Sequence, residues 1–288
     1  MGKEYNKIGC KYLIFGNGYL GNKFNNFLKD SIVSDVRINN ALSVESEINK
    51  YSPDIVINCV GKTGKPNVDW CEDHKLETLE SNVLVPVYIM QACQKLNKKM
   101  VHVGSGCVYE GDNNAEGFSE DDEPNFYGSF YSRTKILSEK ILKDFNVLQI
   151  RIRMPVDSEP SPRNLLTKLL RYNKIINVKN SISVVGDVLR VTKELMDKNQ
   201  TGIFNVVNNG TITHEELLNI YEEISGKKLN YEKISLEILD SMTKARRSNC
   251  VLSIKKVENL GITIPDVKSA VTKCIKTYVG NEKMGDKK

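Results

Sequence analysis

The chain has 288 residues, of which 40% are hydrophobic and 27% are charged. This composition is ordinary for a globular protein and argues against disordered and fibrous classes. The net charge of +5 is mild, and acids and bases are interspersed, so an anionic small molecule is a better-supported partner than nucleic acid. Seven cysteines without a Cys-x-x-Cys pair suit a reducing compartment. The longest apolar run, residues 83–90, is too short to cross a bilayer, so we expect a cytoplasmic protein with no membrane, nucleic-acid or metal partner.

Strands and helices alternate through the first half of the chain. A compact apolar run at residues 12–15 ends in glycines and is followed by apolar residues at helical spacing. This alternation predicts an α/β fold, a Rossmann-type doubly wound parallel sheet covered by helices on both faces. The further predicted strands are residues 32–36, 54–59, 100–103 and 147–152, and the predicted helices include residues 75–96 and 131–145.

The pattern changes after residue 155, where prolines and separate helical stretches appear. We therefore predict a cofactor-binding domain over residues 1–155 and a smaller substrate-binding lobe over residues 156–288. Residues 203–207 could add a strand to the main sheet, in which case the cofactor-binding domain and the substrate-binding lobe would be interleaved. Thr213 and Glu216 have the spacing of a capping box at a helix start, and the charged residues 280–288 are predicted to be a mobile tail.

The glycines of the first loop lie directly between a predicted strand and a predicted helix, which is the context of a dinucleotide-binding fingerprint. Glycines allow backbone N–H groups to approach a pyrophosphate at the positive end of the helix. An ordinary turn would have the same spacing, but this one heads an alternating pattern. The residues expected to bind the cofactor here are Gly16, Asn17, Gly18, Tyr19, Leu20 and Gly21.

Two charged residues after the second predicted strand bear on the choice of cofactor. Asp35 could accept hydrogen bonds from a free ribose 2′-hydroxyl, as in NAD binding, whereas Arg37 could pair with a 2′-phosphate, as in NADP binding. Either charge could instead lie in solvent. We predict NADPH, with NADH as the alternative.

Tyr131 and Lys135 are four residues apart and therefore adjacent on one face of a predicted helix. In a carbonyl reductase, such a phenol donates its proton to the developing alkoxide, and the neighbouring ammonium lowers the phenol's pKa. The pair is common by chance, but this one lies between the fourth and fifth core strands. Together with the glycine loop it resembles the extended short-chain dehydrogenase/reductase family, in which a Ser or Thr after the fourth strand completes the catalytic site. Here Cys107 stands at that position.

A free cysteine at a strand end is usually a small buried hydrophobe. If Tyr131 holds a substrate carbonyl, however, a thiol at position 107 would lie near an adjacent carbon whose hydrogen is acidified by that carbonyl. Cys107 could then exchange this proton. Inversion of the carbon needs a second group on the opposite face, and a lysine of shifted pKa can serve.

Three segments carry a closer resemblance: TGKPNVDWCE at 63–72, PNF and GSFY within 124–131, and RIRMP at 151–155. They are similar to the bifunctional UDP-4-keto-6-deoxy-D-glucose 3,5-epimerase/4-reductases of plants and large DNA viruses. PRN at 162–164, TK at 167–168 and RRSN at 246–249 extend the similarity. If the source is a virus, the expected location is the host cytoplasm.

The resemblance implies that Cys107 and Lys168 are the acid/base pair for epimerisation and that Tyr131 and Lys135 serve the reduction. Without it, Lys168 would be read as a solvated lysine. The further cofactor-binding residues that it implies are Arg37, Cys59, Val60, Gly61 and Met154, in addition to Tyr131 and Lys135. The implied substrate-binding residues are Thr63, Asn67, Ser105, Cys107, Arg163, Asn164, Arg247 and Asn249.

The predicted activity is conversion of UDP-4-keto-6-deoxy-D-glucose to UDP-L-rhamnose, by 3,5-epimerisation through enolates and NADPH-dependent reduction at C4. Two alternatives stay open. One is an epimerase/reductase or a reductase acting on a GDP- or dTDP-linked 4-keto-6-deoxy sugar. The other is a non-catalytic NADP-binding regulatory subunit, because a fold alone does not establish activity. A homodimer is a further expectation.

Overall fold

A computed structural model describes residues 9–285, with side chains described through residue 282. Over this range the strands are Tyr12–Phe15 (β1), Ser31–Ser34 (β2), Ile55–Asn58 (β3), Lys99–Ser105 (β4), Val147–Ile152 (β5), Lys174–Ile176 (β6), Gly202–Asn205 (β7) and Glu232–Ile234 (β8). The helices are Tyr19–Phe27 (α1), Ala41–Tyr51 (α2), Trp70–Asp73 (α3), Lys75–Leu79 (α4), Val85–Lys95 (α5), Phe130–Leu142 (α6), Leu165–Leu169 (α7), Val185–Asp197 (α8), His214–Ser225 (α9), Leu236–Met242 (α10), Lys255–Glu258 (α11) and Val267–Gly285 (α12). None of these helices has the length and apolar composition that a membrane span requires.

Six strands form the main sheet, in the order β2-β1-β3-β4-β5-β7. The pairs β1–β2, β1–β3 and β3–β4 are parallel, and the predicted parallel α/β fold is confirmed. The chain moves outward from β1 to β2 and then returns past β1 to β3. This reversal creates a topological switch point between β1 and β3, where the carboxyl ends of open α/β sheets bind ligands.

The two strands beside the switch point, β1 and β3, are largely apolar. β1 and β3 are buried at every residue, as expected for strands covered on both faces. Leu13 and Phe15 of β1 belong to one buried cluster with Val44 and Ile48 of α2 and Ile89 of α5. Burying each of these large side chains contributes about 1.5–3 kcal/mol, which fixes the strand end from which the glycine loop starts.

Several element boundaries differ from the sequence-based expectation. The second strand was predicted over residues 32–36, but β2 begins one residue earlier and ends two residues earlier, at Ser34. The predicted helix of residues 75–96 is divided by a π-helical turn at Glu80–Leu84, after which Pro86 occupies the first turn of α5, the helical position where a missing N–H is tolerated. The predicted strand of residues 203–207 begins and ends earlier, as β7, and lies at the edge of the sheet.

The chain divides into two compact units that alternate along the sequence. Of the described residues, those up to Gly104, Ser129–Ile150 and Asn199–Ile203 form the first unit. The second unit contains Ser105–Gly128, Arg151–Lys198 and the residues from Phe204 onward. The predicted domain boundary at residue 155 is a separate statement from this division into units, and it stays a prediction.

The second unit has its own core, to which α7, α9 and α12 contribute buried side chains, and a small parallel sheet of β6 and β8. The predicted capping box is confirmed, because Thr213 Oγ1 accepts from the Glu216 N–H at 3.1 Å and the Glu216 carboxylate accepts from the Thr213 N–H at 2.8 Å. Residues 280–285, expected to begin a mobile tail, are the end of α12, where Asn281 donates to the Ser158 carbonyl at 2.8 Å. The rest of that predicted tail, residues 286–288, lies outside the described residues.

Gly21 provides a test of the packing that shapes the first loop. It lies in the first turn of α1, where an added Cβ would be 2.0 Å from the Gly16 carbonyl oxygen. Because backbone cannot move aside cheaply, we expect Gly21→Ala to lower the free energy of unfolding by about 1–3 kcal/mol, measured by urea denaturation without cofactor. Gly186→Ala is the matched control, since it lies in the first turn of α8 with nothing within 4 Å of the added Cβ. Its stability should be unchanged or raised by up to about 1 kcal/mol, and equal losses in the two variants would contradict the prediction.

Candidate active site

The first loop turns too tightly for any residue but glycine at its start. Gly16 has φ +105°, and a Cβ there would lie 2.7 Å from the Cys59 carbonyl carbon. Gly18 precedes α1 and contributes no side-chain cap. The first-turn N–H groups of a helix lack intrahelical acceptors, so this uncapped end is suited to an anionic group such as a pyrophosphate.

An open cavity of about 540 Å³ lies at the carboxyl ends of β1, β2 and β3. It brings together several residues predicted to bind the cofactor and adds three charged side chains that the sequence analysis did not select. The predicted residues in its lining are Gly16, Asn17, Arg37 and Val60, and the additional charged ones are Lys62, Glu77 and Glu80.

Both charged residues weighed for cofactor choice line this cavity. Asp35 accepts a hydrogen bond from the Asn17 side chain at 2.8 Å, which ties it to the glycine loop. Arg37 lies two residues further along the same segment. Ser34 also lines the cavity and donates its hydroxyl to Glu47 at 2.6 Å. Of the two residues weighed for cofactor choice, the cavity therefore contains both the acidic and the basic side chain.

Tyr131 and Lys135 lie on α6, whose first turn is held by groups from two predicted motifs. The Ser129 side chain caps the helix by accepting from the Ser132 N–H at 3.0 Å. The Glu72 carboxylate accepts from the Phe130 N–H at 2.6 Å. Glu72 ends the 63–72 motif, so at least this part of the motif serves to fix the helix that carries the Tyr/Lys pair.

Asn82 is a residue that the sequence analysis missed. It lies in the π-helical turn and its side chain is fully buried. Its amide accepts from the Lys62 N–H at 2.7 Å, and donates to the Lys62 carbonyl at 3.0 Å and to Thr134 Oγ1 at 3.1 Å. Asn82 thus connects the loop after β3 to α6 at the residue before Lys135. The available signal was one asparagine within a mostly apolar helical segment, and π-turns are frequent at functional sites.

Lys135 is 5% exposed, and its ammonium donates to the Val103 carbonyl at 3.2 Å. Burial lowers the pKa of Lys135 to about 8, and the nearby charge of Glu139 opposes part of that effect. His102 Nε2 lies 3.5 Å from the Lys135 nitrogen. Burial and the charge of Lys135 hold the pKa of His102 well below its usual 6.5, so the imidazole is neutral.

The loop between β3 and α3 contains five predicted binding residues: Cys59, Val60, Gly61, Thr63 and Asn67. Burial raises the pKa of the Cys59 thiol to about 12, so it is protonated at neutral pH. Asn67 accepts from the Asp69 N–H at 2.9 Å and stabilises the loop from within. Substrate or cofactor contact by these residues stays a prediction.

Cys107 follows β4 in the second unit, and its backbone is held by Ser105, which accepts from the Cys107 N–H at 3.1 Å. The half-buried thiol accepts a hydrogen bond from Arg153 Nη1 at 3.2 Å. A cysteine packed as a simple hydrophobe would have aliphatic neighbours. This sulfur instead has a guanidinium beside it.

Arg153 is 1% exposed, and the sequence analysis assigned it no function. Its Nη2 donates to Asn180 Oδ1 at 2.5 Å and to the Ser248 carbonyl at 2.6 Å. Asn249 accepts from Asn180 at 3.1 Å, so its amide belongs to the network around Arg153. Met154, the next residue along the chain and a predicted cofactor ligand, has φ +40°, a conformation that non-glycine residues rarely adopt and that concentrates at functional sites.

Lys168 lies on the short helix α7 and is half-buried. Burial and, secondarily, the positive charge of Arg163 lower its pKa. Asn164 accepts from the Leu166 N–H at 3.1 Å and donates to the Asp157 and Glu159 carbonyls, so its amide is used within the loop. Arg247 donates to the Ala245 carbonyl.

The chain matches one family model, described as the RmlD substrate binding domain, over residues 13–279. It is 34% identical over 289 residues to a trifunctional UDP-glucose 4,6-dehydratase/UDP-4-keto-6-deoxy-D-glucose 3,5-epimerase/UDP-4-keto-L-rhamnose-reductase of Arabidopsis thaliana. That alignment covers 96% of this chain and 43% of the plant protein. The chain therefore spans less than half the length of this curated relative.

Solved structures show the same fold. The L780 UDP-rhamnose synthase of Acanthamoeba polyphaga mimivirus superposes with a TM-score of 0.89 at 32% identity, covering 93% of this chain and 99% of that one. A dTDP-4-dehydrorhamnose reductase of Bacillus anthracis, solved in complex with NADP, has a TM-score of 0.80 at 19% identity, with 95% and 99% coverage. The relationship indicated by the motifs is confirmed, and the chain belongs to the RmlD substrate binding domain family.

Proposed function

We propose that this protein converts UDP-4-keto-6-deoxy-D-glucose to UDP-L-rhamnose, by epimerisation at C3 and C5 followed by NADPH-dependent reduction at C4. The observation that carries the proposal is the hydrogen bond from Arg153 to the Cys107 sulfur at 3.2 Å. A simple reductase needs no proton-exchanging thiol. The plant and mimivirus relatives, whose names specify UDP-linked sugars and UDP-rhamnose, support the choice of substrate.

The first loop and its cavity fit a dinucleotide. Gly16 permits close backbone approach, the uncapped start of α1 suits a pyrophosphate, and Arg37 in the cavity lining suits a 2′-phosphate. NADPH bound by these residues would supply the hydride for C4. Lys135 and Tyr131 would hold the nicotinamide ribose and the substrate ketone.

Epimerisation requires a base that removes the hydrogen from a carbon beside the ketone. Cys107 in its thiolate form can accept this proton, and its sulfur accepts a hydrogen bond from the Arg153 guanidinium. The electrons left behind delocalise onto the C4 oxygen as an enolate. Lys168, whose pKa is lowered by burial and by Arg163, can return a proton from the opposite face.

One carbonyl serves all three steps, because C3 and C5 both adjoin C4. The Tyr131 phenol would stabilise each enolate by a hydrogen bond and then donate its proton to the C4 alkoxide as hydride arrives. Lys135, four residues later on α6, would support the phenol. The reaction therefore requires that Cys107, Lys168 and Tyr131 act on the same ketone.

Isotope incorporation tests the proposed function directly. We expect the protein, incubated with UDP-4-keto-6-deoxy-D-glucose and NADPH in deuterated water, to yield UDP-rhamnose with deuterium at C3 and C5. Mass spectrometry and proton NMR locate the label. Reduced sugar without deuterium at these carbons would exclude the epimerase activity. The same assay with dTDP- and GDP-linked ketones decides between the nucleotides, and failure with all three would favour a regulatory subunit.

The thiol itself is tested by Cys107→Ala. This variant should lose epimerisation by a factor of about 10²–10⁴, the usual contribution of a general acid or base, while it still reduces a ketone that has been epimerised beforehand. Cys10→Ala is the control, because Cys10 is also a half-buried free thiol but lies outside the proposed site. Equal loss of both activities in Cys107→Ala would indicate a structural role for residue 107.

Cofactor preference is tested at Arg37. Removing a charge-assisted hydrogen bond costs about 1.5–3 kcal/mol, so Arg37→Ala should raise KM for NADPH by roughly ten- to a hundred-fold. KM for NADH, which has no 2′-phosphate, should change little and serves as the internal control. A parallel loss with both cofactors would place Arg37 away from the phosphate.

A further inference from the structure

Lys135 has an unusual neighbour for a buried ammonium. The only polar groups within hydrogen-bond reach of its nitrogen, among the residues that the structure describes, are the Val103 carbonyl at 3.2 Å and the His102 imidazole at 3.5 Å. An imidazole nitrogen can accept from an ammonium or donate to an amine, depending on which ring nitrogen carries the proton. The tautomer of His102 therefore bears on the charge of Lys135.

The structure fixes that tautomer through Asn58. The Asn58 Oδ1 accepts from the Val60 N–H at 2.9 Å, which sets the orientation of the side-chain amide. The Asn58 Nδ2 then faces His102 Nδ1 at 3.0 Å. Because an amide nitrogen only donates, Nδ1 must be the acceptor, and the proton of the neutral imidazole must lie on Nε2. This Nε2–H group is the one that faces Lys135.

We propose that His102 is a positioning residue for the reductive step. Asn58 holds it with its Nε2–H directed at Lys135, so that the ammonium form of Lys135 holds its proton less tightly. An amine can accept this N–H through its lone pair, whereas an ammonium would oppose donor to donor. The other groups that influence Lys135 are Glu139, four residues later on α6 and opposite in effect, and Tyr131, four residues earlier on the same helix. Burial lowers the pKa of Lys135, and the His102 N–H would add to that effect.

The consequence for catalysis rests on the proposed function. After Tyr131 gives its proton to the C4 alkoxide, a phenolate remains. A lysine that exchanges readily between ammonium and amine can return a proton to the phenolate and then take one from water. An ordinary surface lysine, fully protonated at neutral pH, would retain its proton more strongly. By lowering the proton affinity of Lys135, His102 would thus make its ammonium a readier proton donor to the phenolate.

The test reads the tautomer and the titration by NMR, without substrate. Nitrogen-15 shifts of His102 should show protonated Nε2 and unprotonated Nδ1 in the wild-type protein. The carbon-13 shift of Lys135 Cε should titrate with a midpoint of about 8. His102→Asn retains an acceptor for Asn58 and removes the N–H that faces Lys135, so we expect the midpoint to rise by about one pH unit. His102→Gln, which can offer an oxygen to Lys135, should raise it at least as far and serves if the Asn variant folds poorly.

His74→Asn is the matched control, because His74 stacks on Trp70 and bonds the Trp70 carbonyl rather than Lys135. It should leave the Lys135 midpoint unchanged. A wild-type His102 protonated at Nδ1, or a Lys135 midpoint that does not move in either His102 variant, would overturn the inference. Because these readouts need no sugar nucleotide, a protein that titrates as expected but fails the isotope experiment would refute the proposed function alone.

Discussion

The buried Arg153 guanidinium joins several segments of the second unit and contacts the Cys107 thiol. Arg153 is 1% exposed, and a buried charge is tolerated only where hydrogen bonds replace the water it has lost. Asn180, Ser248 and Cys107 supply those bonds. None of these partners is a carboxylate. The segments that surround Arg153 are thus joined through its guanidinium, and the Cys107 sulfur is one of its hydrogen-bond acceptors.

In the first unit, long-range hydrogen bonds hold the helix α6 in place. α6 receives a carboxylate at its first N–H from Glu72 and a link to the loop after β3 through Asn82. Both groups are far from α6 in sequence. Lys62, whose backbone Asn82 bonds, lines the cavity at the carboxyl ends of β1, β2 and β3. These hydrogen bonds fix α6, which carries Tyr131 and Lys135, to segments beside that cavity. Such pre-organised geometry is what general acid catalysis requires.

Local patterns were sufficient for most of the fold. The glycine loop, the apolar strands and the Thr213 capping box each depend on residues within a few positions of one another, and the structure agrees with them. The Tyr131 and Lys135 pair was found for the same reason. The features that were missed depend on distant partners. Asn82 in the π-turn bonds the backbone of Lys62, and Arg153 becomes significant only beside Cys107. The spacing of residues along the chain does not predict such long-range pairs.

The same limit applies to residues that the motifs did select. Asn164 and Asn249 were expected to bind the substrate, and their amides form hydrogen bonds within the protein, Asn164 to its own loop and Asn249 to Asn180. A sequence motif indicates which residue type is required at a position. It does not indicate whether that residue contacts the ligand or supports another residue that contacts it. Lys135 and Lys168 illustrate the point from the other side. Burial lowers the pKa of both, but Glu139 opposes the shift at Lys135 whereas Arg163 adds to it at Lys168. Two lysines that look alike in sequence therefore share the larger effect of burial but differ in the charge of the neighbour that modifies it, and each must be tested through its own neighbour.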